Sequence, residues 1–357
     1  MISDDDLRAS VNAGFVTEAQ AASLRALAQS RAGTRAAIEA GDEPFELFKG
    51  FNEIFIVVGL GILAFGWAAV TGAALLGDMV DIFDTRREVT ASGIAGLVAI
   101  WLASEYFIRR RRMVAPAIFL SVLFAAVALL LANLHLAEPF MIAANDVSSL
   151  PVPLAISVVA LGVYWWRFRV PFALAMIALG VFATALLLAA SGSRDGVPFD
   201  QLFLLTADGP FAWITLGIGI AVFVLAMVFD TSDPHRVSRR SAQGFWLHIV
   251  SAPALVNTAA VTLLASDTSA ARLGLFALML GFALVAIVID RRSFLIAAIG
   301  YLLVLAGTVF GGDGAAVTIL LLGVLLVALG AFWTRVRHVL LTTVFAWLPR
   351  HKLPPSY

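Results

Sequence analysis

The chain has 357 residues, 61% of them hydrophobic and 13% charged, with a mean hydropathy of +0.94, a balance that excludes an ordinary soluble domain and predicts a polytopic membrane protein whose main partner is the lipid bilayer. Its 24 basic and 24 acidic residues cancel, and the basic ones are spread over loops rather than gathered in a patch, which argues against a nucleic-acid partner. Cysteine is absent, removing disulfides, thiolate metal sites, thiol catalysis and palmitoylation together, and the near-exclusive use of Arg over Lys suggests a GC-rich bacterial gene.

In chain order, Met1 to Asp6 is acidic and no apolar core with a cleavage site follows, so no cleavable signal peptide is expected. Ser3 is placed to cap a short helix over Asp4 to Asn12, ended by Gly14, and Thr17-Glu18-Ala19-Gln20 reads as a capping box opening a second helix towards Ala40. Leu7, Val11, Phe15, Val16, Ala19, Leu24 and Leu27 give this pair an apolar face too small to bury a core. Residues 1–46 are therefore expected to form a cytoplasmic helical head and linker. Residues 1–40 would meet a protein partner, the membrane or a second copy of the chain, the last making a homo-oligomer.

Residues 47–333 read as a transmembrane helix bundle, making the fold class all-α. Apolar runs fall at about Phe51 to Leu76, Ala91 to Ile108, Met113 to Leu136, Val152 to Trp166, Val170 to Ala190, Phe211 to Phe229, Gln243 to Ala265, Ala270 to Ile289, Phe294 to Phe310 and Ala315 to Trp333, or about ten spans. The loops between them alternate in charge. Basic turns at Arg109 to Arg112, Arg167 with Arg169, Arg236 with Arg239 and Arg240, Arg291 with Arg292, and Arg335 with Arg337 alternate with acidic or near-neutral loops, which puts both termini in the cytoplasm. Pro116, Pro171 and Pro253 follow three of these turns, giving serial hairpins rather than a strict duplication. Small-residue ladders at Ala64, Ala68 and Gly72, at Gly274, Ala277 and Gly281, and at Gly307 and Gly311 are expected to mark close helix contacts. Residues 334–357 read as an interfacial helix and a C-terminal tail.

The run from Gln243 to Ala265 is the most polar of the ten, carrying His248, Ser251, Pro253, Asn257, Thr258 and Thr262. At about 1.5 Å per residue, a helix starting at Gly244 puts Asn257 within roughly 4 Å of its midpoint and His248 about 6 Å inside its first end, where lipid supplies no hydrogen-bond partner. At 100° per residue His248, Ser251, Thr258 and Thr262 share a stripe and Asn257 points nearly the opposite way, so the helix should be sandwiched by others. Pro253 removes the helical donor for the Ile249 carbonyl and is expected to open or kink the helix. His248, Ser251, Pro253, Asn257 and Thr258 are thus the candidate intramembrane polar site, serving as interhelical glue or, alternatively, as a substrate or proton site.

Two interfacial ion pairs are also expected, Glu105 with Arg109 and Lys49 with Glu53, each four residues apart. Neither zinc-ligand spacing nor a phosphate-binding Gly-rich loop is present, and the five His residues are scattered, so no catalytic, cofactor-binding or metal residue is assigned and no enzyme activity is expected. The stretches EPFELFKGFNEIFIVVGLGIL, RRRRMVAPAIFL, FWLHIVSAPALV and DRRSFLIAAIGYLL, with the N-terminal GFVTEAQAASL, resemble bacterial inner-membrane proteins of unknown function that join a small helical head to a multi-span bundle. The resemblance implies fold and location, and it supplies no functional residues. The expected function is a non-enzymatic scaffold or sensor, with a secondary transporter of a small solute as the alternative.

Overall fold

The computed structural model describes residues 4–36, 51–77, 82–138, 146–191, 201–236, 238–266, 268–291, 320, 323–324, 327–348 and 353–354. All secondary structure among them is helical. Helices α1 (Asp4–Asn12) and α2 (Glu18–Ala36) come first, and the capping box forms reciprocally: the Thr17 amide donates to Gln20 Oε1 at 2.9 Å and the Gln20 amide to Thr17 Oγ1 at 3.3 Å. The bundle follows with α3 (Phe51–Gly77), α4 (Ile82–Ser104) continued by a π-helical turn (Glu105–Arg110), α5 (Val114–Leu136), α6 (Pro151–Phe168), α7 (Pro171–Ala190), α8 (Phe211–Ser232), α9 (Arg239–Ala265) and α10 (Ser269–Ile289). A shorter helix, α11 (Trp333–Thr343), packs on α10.

Eight of these helices are long and apolar enough to cross a membrane, and they coincide with the first eight expected runs. The expected ninth run lies outside the described residues and the tenth is described only in part. Exposure follows the solvent that such helices require. Phe55, Ile62, Leu63, Phe65 and Val70 of α3 are all more than half exposed, an outer surface suited to hydrocarbon rather than water.

Neighbouring helices meet in sequence order, α4 on α5, α6 on α7, α8 on α9 and α9 on α10, so the framework is a series of antiparallel hairpins. Polar contacts place the basic turns at one end: Arg167 pairs with Glu105 at 2.6 Å, Arg239 donates to the Phe168 carbonyl at 3.1 Å, and Arg236 pairs with Asp290 at 3.0 Å. Several of these arginines cap helices belonging to other hairpins. The last carbonyls of a helix have no donor of their own and carry the negative end of its dipole, so a guanidinium from a neighbouring turn satisfies both needs. Arg239 does this for α6, while Arg236 does it for α10 through the carbonyls of Ile289 and Asp290. Arg337, buried in α11, adds bonds to the carbonyls of Ile287 and Val288. Burial pushes the Arg337 guanidinium below its ordinary pKa, opposed by the nearby Asp290 carboxylate.

The glycines that permit close approach are not those of the expected ladders. Among the described residues a Cβ added at Gly72 or Gly281 meets nothing within 4 Å, and one at Gly274 meets only Leu263 at ordinary contact distance. Single glycines do the work instead: Gly93 lies against Leu131, Gly180 against Val158, Gly219 against Ala254 and Gly244 against Asp230. Spacing of three or four sets which residues share a face, but the face that meets a neighbour is decided by packing. Gly307 and Gly311 lie outside the described residues.

Candidate functional site

Helix α9 begins at Arg239, five residues before Gly244, because Ser238 caps it: its hydroxyl accepts from the Arg240 amide at 3.2 Å, while Asp233 Oδ2 accepts from the Ser238 amide and hydroxyl at 2.8 and 2.7 Å. His248 therefore lies about 14 Å along the helix axis from Arg239, deeper than a start at Gly244 would put it. The helix packs on α7, α8 and α10, so it is sandwiched as expected from its two polar faces.

His248 is fully buried, and its Nε2 lies 2.9 Å from Oδ2 of Asp230, in the last turn of α8. The same carboxylate receives Arg291, which follows α10: Nε donates to Oδ2 at 3.0 Å and Nη2 to Oδ1, while Nη2 also donates to the Ser241 carbonyl at 2.7 Å. Asp230 is thus held by an imidazole and a forked guanidinium, one group from each of three helices or their ends. Side-chain exposure of 6% for Asp230 and 7% for Arg291 makes the pair a desolvated one, where bidentate geometry decides whether attraction offsets lost hydration. Phe223 packs edge-on against the His248 ring at 5.5 Å.

Gly244 makes the arrangement possible. A Cβ there would collide with Asp230 Oδ1 and come within 3.1 Å of its Cγ and 3.2 Å of the Ala226 carbonyl, so only a glycine lets α8 bring its carboxylate flat against α9. Next to it Gln243 is 1% exposed, and its Nε2 meets no acceptor among the described residues. A second layer surrounds the trio. Asp290, at φ +55°, pairs with Arg236 through Oδ2 and accepts from Trp333 Nε1 through Oδ1 at 2.8 Å, which ties α11 to the same corner.

The other polar residues of α9 separate from His248. Ser251 and Thr258 are fully buried, but their hydroxyls turn back to their own helix, to the carbonyls of His248 at 3.4 Å and Ala254 at 2.6 Å. Thr262 holds the connection before α8, accepting from the Leu205 amide at 3.0 Å and donating to the Phe203 carbonyl at 3.3 Å. Asn257 is half-buried, and Pro253 is exposed on an unbroken helix. Helix α9 is continuous through Pro253, which has no amide hydrogen to give the Ile249 carbonyl.

Of the expected interfacial pairs, Glu105 Oε2 meets Arg109 at 3.2 Å, and Oε1 takes Arg167 from the next hairpin. Lys49 lies outside the described residues. Glu53 is buried, and its Oε2 accepts from the Ala115 amide at 3.0 Å, acting on the N-terminus of α5 as a capping carboxylate supplied by another helix. Asp230 is the residue that sequence reasoning missed. Its signal was present, since an acid directly follows the apolar run Phe211 to Phe229.

No family model, curated protein or solved structure matches this chain. The all-helical character and the eight helices of membrane-crossing length therefore stand on the chain's own geometry.

Proposed function

We propose that the chain is a bacterial inner-membrane protein of about ten spans with both termini cytoplasmic, acting without catalysis as a scaffold or sensor whose head, residues 1–40, engages a protein partner. The observation that carries this reading is how His248 is used. His248 Nε2 is held by Asp230 and Asp230 by Arg291, one group from each of three helices or their ends. Contacts of this kind fasten helices to one another, whereas a translocation pathway needs groups that exchange partners with a solute or water. Solute efflux from loaded proteoliposomes tests it: amino acids and small organic acids should leave no faster than from protein-free vesicles. Protein-dependent efflux of any of them would replace the reading.

The transporter reading has one observation in its favour. A buried imidazole beside a buried carboxylate is the pairing that proton-coupled carriers use. In that case Asp230→Asn would abolish flux and leave the bundle folded.

A further inference from the structure

We propose that the two arginine turns joined through Glu105 form a docking surface for the phosphate headgroups of anionic phospholipids. The proposal rests on the membrane reading above and concerns a different part of the molecule from the Asp230 cluster. Glu105 bridges the turns, with one carboxylate oxygen on Arg109 and the other on Arg167, so residues 109–112 and 167–169 form one cationic rim. Six arginines stand there against one glutamate in a chain whose charges cancel only when summed over its whole length.

That glutamate is used up. Among the described residues no carboxylate pairs with Arg110, Arg111 or Arg169. Arg110 is exposed. Arg111 is braced rather than neutralised, since its Nε and Nη2 donate to the Tyr106 hydroxyl at 3.2 and 3.1 Å and its guanidinium lies 5.6 Å from that ring. Arg169 lies 5.0 Å over the Trp165 ring. Neither aromatic contact cancels charge, and stacking leaves the edge of the Arg169 fork open to an anion.

The surroundings fix the occupant as a lipid headgroup. Tyr106 is 42% exposed and Trp166 is 69% exposed at the ends of two membrane-length helices, and exposed aromatics of this kind mark the headgroup level. A guanidinium fork at that depth meets a phosphodiester oxygen pair. Arg169 also adopts left-handed backbone, at φ +51°, in a turn position where glycine or asparagine is the cheaper choice. Arginine there is explained when its side chain has an anion to hold.

The test uses the full chain in neutral detergent, with the thermal midpoint followed during titration by phosphatidylglycerol, phosphatidylcholine or inorganic phosphate. Phosphatidylglycerol should raise the midpoint at concentrations at least tenfold below those of phosphatidylcholine, and phosphate should not. Arg110→Gln/Arg111→Gln/Arg169→Gln should need at least tenfold more phosphatidylglycerol than the wild type. Arg86→Gln/Arg87→Glu, which lowers the net charge by the same amount away from both the head and these turns, should respond as the wild type does. Equal loss in this control and the triple variant, a shift under twofold in the triple variant, or stabilisation by phosphate alone overturns the proposal. If the triple variant does not fold, Arg110→Gln alone serves, with a threefold weaker response expected and an unchanged one overturning. Incorporation into pure phosphatidylcholine vesicles separates the two readings: failure there would refute the membrane assignment, whereas incorporation without preference for phosphatidylglycerol would refute only the headgroup surface.

Discussion

Replacing Asp230 with Leu removes the acceptor for two guanidinium donors of Arg291 and for His248 Nε2, leaving Arg291 its bond to the Ser241 carbonyl among the described residues. With the Arg291 side chain only 7% exposed, water does not readily replace the lost carboxylate. A buried charge stripped of its partner costs about 3–5 kcal/mol, and the same range applies to Arg291→Leu, which leaves Asp230 with His248 alone. The double variant Asp230→Leu/Arg291→Leu removes both charges and leaves His248 Nε2 without this acceptor, so it should lie within about 3 kcal/mol of the wild type. The coupling energy of this cycle should therefore reach about 3 kcal/mol or more. Reversible unfolding in mixed micelles, followed by the fluorescence of the eight tryptophans, measures all four proteins. Single variants costing under about 1 kcal/mol, or a double variant costing the sum of the two, would refute the reasoning that the ions are desolvated and mutually dependent.

Three further substitutions probe the neighbourhood by the same unfolding measurement. Gly244→Ala should destabilise by about 1–3 kcal/mol, because its methyl group would collide with Asp230 and force α8 away from α9; a neutral result would show that the helices are not so close. Gln243→Met keeps the side-chain volume and removes a buried amide nitrogen that meets no acceptor among the described residues, so it should stabilise by about 1 kcal/mol, and a clear loss would reveal a partner. Glu53→Ala should cost about 1 kcal/mol by uncapping α5 at Ala115 while Glu53→Gln, which keeps an acceptor, should cost less; equal losses would contradict the capping role.

The first eight spans were legible because a membrane helix has to be apolar for about 20 residues, a signal that survives without knowledge of packing. Burial of His248 was legible for the same reason, since an imidazole in such a run has to find a protein partner. The partner itself was not. Asp230 lies at the end of its apolar run, and its meeting with His248 depends on the antiparallel register of α8 and α9, which Ser238 sets by starting α9 at Arg239. Glu53 was matched with its neighbour in sequence, Lys49, whereas its carboxylate reaches the first turn of α5, 62 residues on, a contact created only when the helices pack. Asn257 and Pro253 drew attention by residue type, yet lie partly or wholly exposed, away from the Asp230 cluster.

The central claim, that Asp230, His248 and Arg291 fasten helices together rather than conduct, is tested most directly by proton flux. Proteoliposomes loaded with a pH-sensitive dye and given an imposed pH gradient would be compared for the wild type, Asp230→Asn and His248→Leu, with the stability of each variant measured alongside. Wild-type vesicles should dissipate the gradient no faster than protein-free ones. The variants should change stability alone, His248→Leu by only about 1 kcal/mol because Arg291 Nε still occupies Asp230 Oδ2. Wild-type flux that disappears in either variant while stability is unchanged would show that the three residues conduct.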